Sequence, residues 1–236
     1  MKKDALTDIT IIDVYDNVEL DPNFERGFGF GCIVKLKDKN ILFDTGSDSP
    51  TLLANMKKAK IKPADIDIVV LSHIHGDHTG GLLGFLEKNS NVEAYVPISF
   101  PSSSKNRIKQ TGAIVKEVKG PIEITNGVYS TGELGTFIKE QSLIINSNKG
   151  LIIITGCAHP GIVHIIETAK KLMKENIYLA IGGFHHPQAS VVKEFKELGV
   201  KKVAPSHCTG NPAIEAFAEG YRENFVKSGV GKIIKI

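Results

Sequence analysis

Ten residues constrain this chain more than any others: Ser72-His73-Ile74-His75-Gly76-Asp77-His78-Thr79-Gly80-Gly81. The stretch at 66–71, apolar except for Asp67, runs straight into them. That pattern predicts a buried strand ending in a turn that presents three imidazoles and one carboxylate within six residues. Neutral imidazole nitrogen and carboxylate oxygen are the donors that borderline divalent metals take. A protein core does not tolerate such a cluster without a cation, because buried polar groups need partners. The plainer alternative is a polar surface loop that happens to be rich in histidine.

At 236 residues the chain is read as a single domain, 1–236, with one substantial core or two tightly fused halves. A hydrophobic content of 42% with 23% charged residues is ordinary for a globular protein. The net charge of +3 comes from scattered lysines and gives no case for nucleic acid as the main partner. The start carries the pair Lys2-Lys3 but no apolar core of a secretory leader, and no run approaches the length of a membrane span. Cys32, Cys157 and Cys208 cannot all pair, so a disulfide framework is not expected and the cytoplasm is the default location.

Strand-like and helix-like runs alternate nearly to the end. Strands are predicted at 9–15, 32–36, 41–43, 68–71 and 92–96. Ser49 and Pro50 read as an N-cap and first helical residue, with Leu52, Leu53 and Met56 as the apolar face. Leu82, Leu83 and Leu86 share one side of a helix after the histidine motif. Residues 97–109, polar, Ser-rich and basic, read as a flexible excursion. The second half predicts strands at 128–131, 143–146, 151–155, 177–181, 202–204 and 232–236. Helices are expected at 162–173, at 191–198 and from an Asn211-Pro212 cap to Tyr221. Two β-rich halves, each covered by helices, suggest an α/β fold of four layers, an αββα sandwich.

The remaining polar candidates sit where predicted strands end, which is where loops deliver functional side chains. Asp44, in Phe43-Asp44-Thr45-Gly46, is placed to turn back and accept a proton from a ligand imidazole. Cys157 and His159 follow the strand at 151–155. His185 and His186 follow Gly182-Gly183, His207 lies in Ser206-His207-Cys208-Thr209-Gly210, and His164 falls inside a helix as ordinary packing or surface. The glycine-rich Gly27-Phe28-Gly29-Phe30-Gly31 precedes a strand, not a helix, so it reads as a hairpin at a pocket rim and not as a phosphate cradle. Lys105, Arg107 and Lys109, beside Ser102, Ser103 and Ser104, suit either an anion-binding substrate lid or a solvated loop.

A strand, then His-x-His-x-Asp-His, then Thr-Gly-Gly, resembles the signature of the metallo-β-lactamase fold superfamily. The set Phe28-Gly29, Leu42-Phe43-Asp44-Thr45-Gly46, Thr155-Gly156-Cys157-Ala158-His159, Gly182-Gly183-Phe184-His185 and Ser206-His207-Cys208-Thr209-Gly210 narrows the likeness. It is similar to the branch of metal-dependent hydrolases related to 7,8-dihydropterin-6-yl-methyl-4-(β-D-ribofuranosyl)aminobenzene 5′-phosphate synthase. The resemblance implies the αββα sandwich of the metallo-β-lactamase type and two divalent metal ions, zinc first, with manganese, iron or magnesium as alternatives. It implies that His73 and His75 bind one ion, that Asp77 and His78 bind the second, that His207 joins the second, and that Asp44 orients a ligand from behind. The chain departs from the family pattern twice. Cys157 stands where many members carry a bridging Asp, and Glu140-Gln141-Ser142 stands where a ligand Gly-His is usual. His159 is expected to complete the first site, with Cys157 as a lining residue or thiolate ligand.

Two cations a few ångströms apart would acidify a shared water and polarise an ester or phosphate oxygen. The leading expectation is therefore hydrolysis of a small ester, lactone or phosphoester by a metal-bound hydroxide, with Asp77 and His185 as the catalytic residues. The alternative is a transferase joining a dihydropterin diphosphate to ribofuranosylaminobenzene 5′-phosphate, with a basic lid at Lys105 to Lys109 suited to such a substrate. Either way the partner is a small molecule, phosphorylated in the second case, with neither nucleic acid nor membrane. Iron-dependent redox chemistry of the flavodiiron kind is disfavoured, because His75 stands where those proteins carry Glu and no flavin domain follows. Metal identity and oligomeric state stay open.

Overall fold

The computed structural model describes residues 5–236, so the Lys2-Lys3 pair lies outside the described residues. In chain order the chain forms β1 (Thr10–Asp16), β2 (Phe30–Lys35), β3 (Asn40–Phe43), α1 (Ser49–Lys58), β4 (Ile68–Val70), α2 (Gly76–Thr79), α3 (Leu82–Leu86), β5 (Glu93–Pro97), α4 (Ser102–Gln110) and β6 (Ile114–Val118). There follow β7 (Ile122–Thr125), β8 (Val128–Ser130), β9 (Leu143–Ser147), β10 (Gly150–Thr155), α5 (Ile162–Met173), β11 (Ile177–Gly183), α6 (Val191–Glu197), β12 (Lys202–Ser206), α7 (Asn211–Tyr221) and β13 (Ile233–Lys235). They divide into two compact units. One comprises Asp8–Lys119 and Gly229–Ile236; the other comprises Gly120–Ser228 with the described residues 5–7.

In the first unit a seven-stranded sheet runs β13-β1-β2-β3-β4-β5-β6. Pairing is antiparallel from β13 to β3 and parallel from β3 to β6. Parallel neighbours need crossovers, and α1, α3 and α4 supply them. Alternate strand residues Ile33, Leu42, Val69 and Ala94 pack with Leu52 and Met56 of α1, Leu82, Phe85 and Leu86 of α3 and Ile108 of α4. The opposite face, with Val34, Ile41, Phe43 and Val70, is buried as well. Burial on both faces explains why these strands read as continuous apolar runs.

The second unit repeats the plan. Its six-stranded sheet runs β12-β11-β10-β9-β8-β7, antiparallel from β7 to β10 and parallel from β10 to β12. Ile162, Ile165, Ile166 and Ala169 form the i, i+3, i+4, i+7 stripe of α5 and pack with Ile144, Ile153, Ala180 and Val203 of the sheet. Phe184, Phe195 and Phe217 close this core, with ring centroids 5.2–5.7 Å apart in tilted and edge-on arrangements.

Four local expectations change. Residues 97–109 are not a flexible excursion, since most of them form α4, anchored by the fully buried Ile108. One apolar residue in a polar nine-residue helix gives too weak a stripe to read in the sequence. The N-cap of α1 is Asp48, one residue earlier than expected, because its carboxylate accepts the Thr51 amide at 2.8 Å. Gly210, not Asn211, caps α7. Strands β6 and β7 had no counterpart in the sequence pattern; β6 forms the sheet edge, and of its five residues only Val118 is buried. Among the described residues no helix is long and apolar enough to cross a membrane.

Candidate functional site

In both units the polar candidates lie just beyond the C-terminal ends of parallel strands, where open α/β sheets place their ligands. Asp44 follows β3 and the histidine motif follows β4. Cys157 and His159 follow β10, His185 follows β11, and His207 follows β12.

The histidine motif begins as extended chain and folds at once into the single turn α2, with His75 at its N-cap. Gly29 lies over this turn: a Cβ there would meet the Asp77 carbonyl at 2.2 Å, and its φ of +140° suits glycine alone. The loop before β2 is therefore a support for the motif. His73 Nε2 and His75 Nδ1 are 3.1 Å apart, and His78 Nε2 lies 3.4 Å from an Asp77 carboxylate oxygen. Two donors each about 2.0–2.2 Å from one ion stand at such separations, so the pairs fit divalent ions.

Asp44 organises these rings from behind. It is fully buried and accepts the Ser72 amide, the Ser72 hydroxyl and His78 Nδ1–H, each at 2.7 Å. Because the Ser72 proton goes to Asp44, the Ser72 oxygen accepts from His73 Nδ1–H at 2.9 Å. One carboxylate thus fixes the tautomer of two imidazoles and leaves both Nε2 atoms for a ligand. Burial opposes charge on His78, but Asp44 and Asp77 outweigh it and raise its pKa to about 10. A divalent ion at Nε2 would supply positive charge there in place of the proton. Burial pushes the Asp44 carboxyl up while His78 and Ser72 pull it down; three donors at 2.7 Å require its carboxylate form.

The second unit has an equivalent device that the sequence reading missed. Glu140, 1% exposed, accepts the Cys157 and Ala158 amides at 2.9 and 2.8 Å through one oxygen. Its other oxygen accepts the His159 amide at 2.9 Å and His159 Nδ1–H at 2.8 Å. Glu140 therefore holds the 157–159 loop and fixes the His159 proton on Nδ1. The sequence signal is the acidic residue of Glu140-Gln141-Ser142, which stands where a ligand Gly-His is usual. Cys157 Sγ lies 3.3 Å from His207 Nε2. The rings of His159 and His185 stand 4.5 Å apart at a pocket of about 250 Å³, walled by Ile162, Val163, Phe184 and Val191.

Several of these residues adopt left-handed backbone: Asp44 at φ +57°, Ala158 at +63°, His185 at +53° and His207 at +49°. Such conformations cost about 1–3 kcal/mol each and persist only where surroundings impose them. The basic candidates divide. Lys105 is held by Glu117 at 2.7 Å and the Ile98 carbonyl at 3.0 Å, whereas Arg107 lines a pocket of about 90 Å³ with Ile74, Thr79 and Ser104. Lys109, His164 and His186 are exposed.

The family profile of the metallo-β-lactamase superfamily matches residues 32–171. The chain belongs to that superfamily, and its two sheets with covering helices are the mixed α/β architecture of its relatives. It is 33% identical to the 7,8-dihydropterin-6-methyl-4-(β-D-ribofuranosyl)-aminobenzene-5′-phosphate synthase of Methanocaldococcus jannaschii, over 84% of each chain. A crystal structure of a metal-dependent hydrolase of the β-lactamase superfamily superposes with a TM-score of 0.80 at 26% identity, covering 97% of this chain and 99% of the other. A metallo-β-lactamase fold protein from Bacillus subtilis shares the fold at a TM-score of 0.67 and 14% identity, covering 97% of this chain and 99% of the other.

Proposed function

We propose that this chain is a cytoplasmic metal-dependent hydrolase of small esters, lactones or phosphoesters. Its proposed ligands for two divalent ions, zinc first, are His73, His75, Asp77, His78, His159 and His207. The observation that carries this reading is the pair of buried carboxylates, Asp44 and Glu140: Asp44 bonds His78 Nδ1 and, through Ser72, His73 Nδ1, and Glu140 bonds His159 Nδ1. Side chains that only fill space need no such support. The imidazole and carboxylate set suits zinc, with manganese, iron or magnesium as alternatives, and the thiols of all three cysteines are free, as in a reducing compartment.

When bound, the ions supply Lewis acidity and an acidified water. The protein supplies position and proton transfer. Asp77, on the single turn α2 with a carboxylate oxygen 3.4 Å from His78 Nε2, would orient the attacking water and accept its proton. His185, beside the apolar pocket at His159, faces the substrate and returns a proton to the leaving oxygen. Arg107 and Ser104, which line one pocket, would hold an anionic substituent.

The second reading, transfer of a dihydropterinylmethyl group from its diphosphate to ribofuranosylaminobenzene 5′-phosphate with diphosphate as the leaving group, is supported by the 33% identity to the archaeal synthase. One experiment tests both. Protein stripped with chelator and reloaded with zinc or manganese is offered a panel of esters, lactones and phosphoesters, and separately the two substrates of the synthase. Metal-dependent turnover is expected, and Asp77→Ala should retain the fold and lose about 10²-fold or more of it. Failure to bind zinc or manganese would sink both readings. Condensation of the two synthase substrates without hydrolysis of the panel would replace the first by the second.

A further inference from the structure

Cys208 has no place in the ligand set above, yet its surroundings are built for a sulfur atom. It lies half-buried in the short turn after β12. Its Sγ occupies the space beside Gly183, the last residue of β11, where a Cβ would meet it at 2.6 Å. Its S–H points to the Cys157 carbonyl at 3.5 Å. The Cys208 carbonyl in turn accepts the His186 amide at 3.1 Å, tying this turn to the loop that carries His185.

Three adjacent parallel strands, β10, β11 and β12, thus deliver Cys157, His185 and Cys208 in order. Their two Sγ atoms and an imidazole nitrogen all lie within 4.8 Å of one another. Sulfurs each about 2.3 Å from a shared ion stand somewhat under 4 Å apart, so a small closure brings all three donors onto one ion. Two thiols and an imidazole favour thiophilic ions such as zinc, cadmium or copper(I) over magnesium or manganese. Three protein donors leave a fourth tetrahedral position open.

We propose that Cys157, Cys208 and His185 bind one thiophilic metal ion, at a site that uses none of His73, His75, Asp77 or His78. On binding, each thiol releases its proton to solvent as its sulfur takes the ion, so two protons leave per divalent ion and no electron is transferred. His185 then has two roles open to it, and occupation of this site would withdraw it from substrate.

Cadmium(II) is the probe. Chelator-treated protein is titrated while the ultraviolet sulfur-to-cadmium band is recorded, and alkylation of each cysteine by iodoacetamide is counted by mass spectrometry. The native chain should give a band of two thiolates and at least tenfold protection of Cys208. Cys208→Ser and Cys157→Ser should each halve the band, Cys32→Ser should leave it unchanged, and His185→Ala should weaken cadmium binding tenfold or more while keeping both sulfurs. The doubly substituted His73→Ala, His75→Ala chain should keep the full band, which separates this site from the proposed hydrolytic one; loss of zinc-dependent turnover in that chain tests the other reading. An unchanged band in Cys208→Ser, unprotected Cys208 in the presence of cadmium, or loss of the band with His73 and His75 would each overturn the proposal.

Discussion

The tautomers of two histidines depend on Asp44. Replacing it by Asn keeps the size and the left-handed backbone at φ +57°, which Asn adopts readily, but turns one acceptor oxygen into a donor. If the amide oxygen keeps the Ser72 amide, the new NH₂ faces the Ser72 hydroxyl and His78 Nδ1, both of which now donate to Asp44. His78 must then bare Nδ1 and carry its proton on Nε2, and Ser72 must turn its hydroxyl toward His73, with the same result there. Both rings lose the lone pair that a metal needs. Removing an outer partner of a ligand histidine weakens metal affinity about 10–100-fold, or about 1.4–2.7 kcal/mol. Here two rings are affected through one carboxylate, so the upper end is expected. Losing charge-assisted hydrogen bonds costs a further ~1–3 kcal/mol of stability, a fall of about 2–12 °C in melting temperature for a chain of this size. Zinc affinity is read by chelator competition and stability by thermal unfolding in chelator, which keeps the two effects apart. Ser72→Ala, which breaks only the His73 branch, should fall between wild type and Asp44→Asn. An Asp44→Asn chain that binds zinc as tightly as wild type would refute the relay.

Other consequences can be checked singly. Glu140→Gln places an NH₂ against two donors whichever way the amide turns, so it should lower stability by about 2–4 kcal/mol and loosen the 157–159 loop, seen as faster amide exchange there. Burial, then the Asp48 carboxylate, raises the Tyr15 pKa to about 12. That contribution to stability is present below the unfolded value of about 10 and is lost as pH rises through about 12, so Tyr15→Phe should remove the alkaline loss at a cost of about 1 kcal/mol near neutrality. Burial raises the Asp48 pKa, but Tyr15 and the Thr51 amide outweigh it and lower it overall. Its contribution is present above about 4 and is lost as pH falls through its folded pKa; Asp48→Ala should cost about 1 kcal/mol as a lost cap and flatten the acid limb. Phe184→Ala should destabilise by about 3–5 kcal/mol in thermal or denaturant unfolding, because this ring joins the Phe195 and Phe217 cluster.

The strands and helices legible in the sequence were those buried on a whole face. The run at 151–155 and the stripe Ile162, Ile165, Ile166, Ala169 carry their periodicity in full because packing on both sides of the sheet demands it. What stayed hidden had only one buried residue: α4 hangs on Ile108, and β6, at a sheet edge with Lys116 and Glu117 adjacent, buries only Val118. The histidine motif was legible because its donors are contiguous, and Asp44 because it follows a strand into Thr-Gly. Glu140 was misjudged because its task is set by residues seventeen to nineteen positions away, a separation that no local pattern encodes.

The same distinction explains where the chemistry sits. Local sequence gives a ligand its identity, but a ligand is useful only with its proton on the far nitrogen, and that is decided by a carboxylate from another strand end. Asp44 does this from the end of β3 for residues after β4, and Glu140 does it from the approach to β9 for residues after β10. Each unit thus carries its own buried acid behind its own imidazoles, so substitution at Asp44 should disturb His73 and His78 without altering His159, and substitution at Glu140 should do the reverse. Zinc titrations of the two single variants and the double variant measure this directly: relays that act separately give losses in binding free energy that add within about 0.5 kcal/mol, whereas a larger coupling would mark the ion that His73 and His159 are proposed to share. A loss at one acid that already abolishes binding at both imidazole sets would show that the two relays act as one.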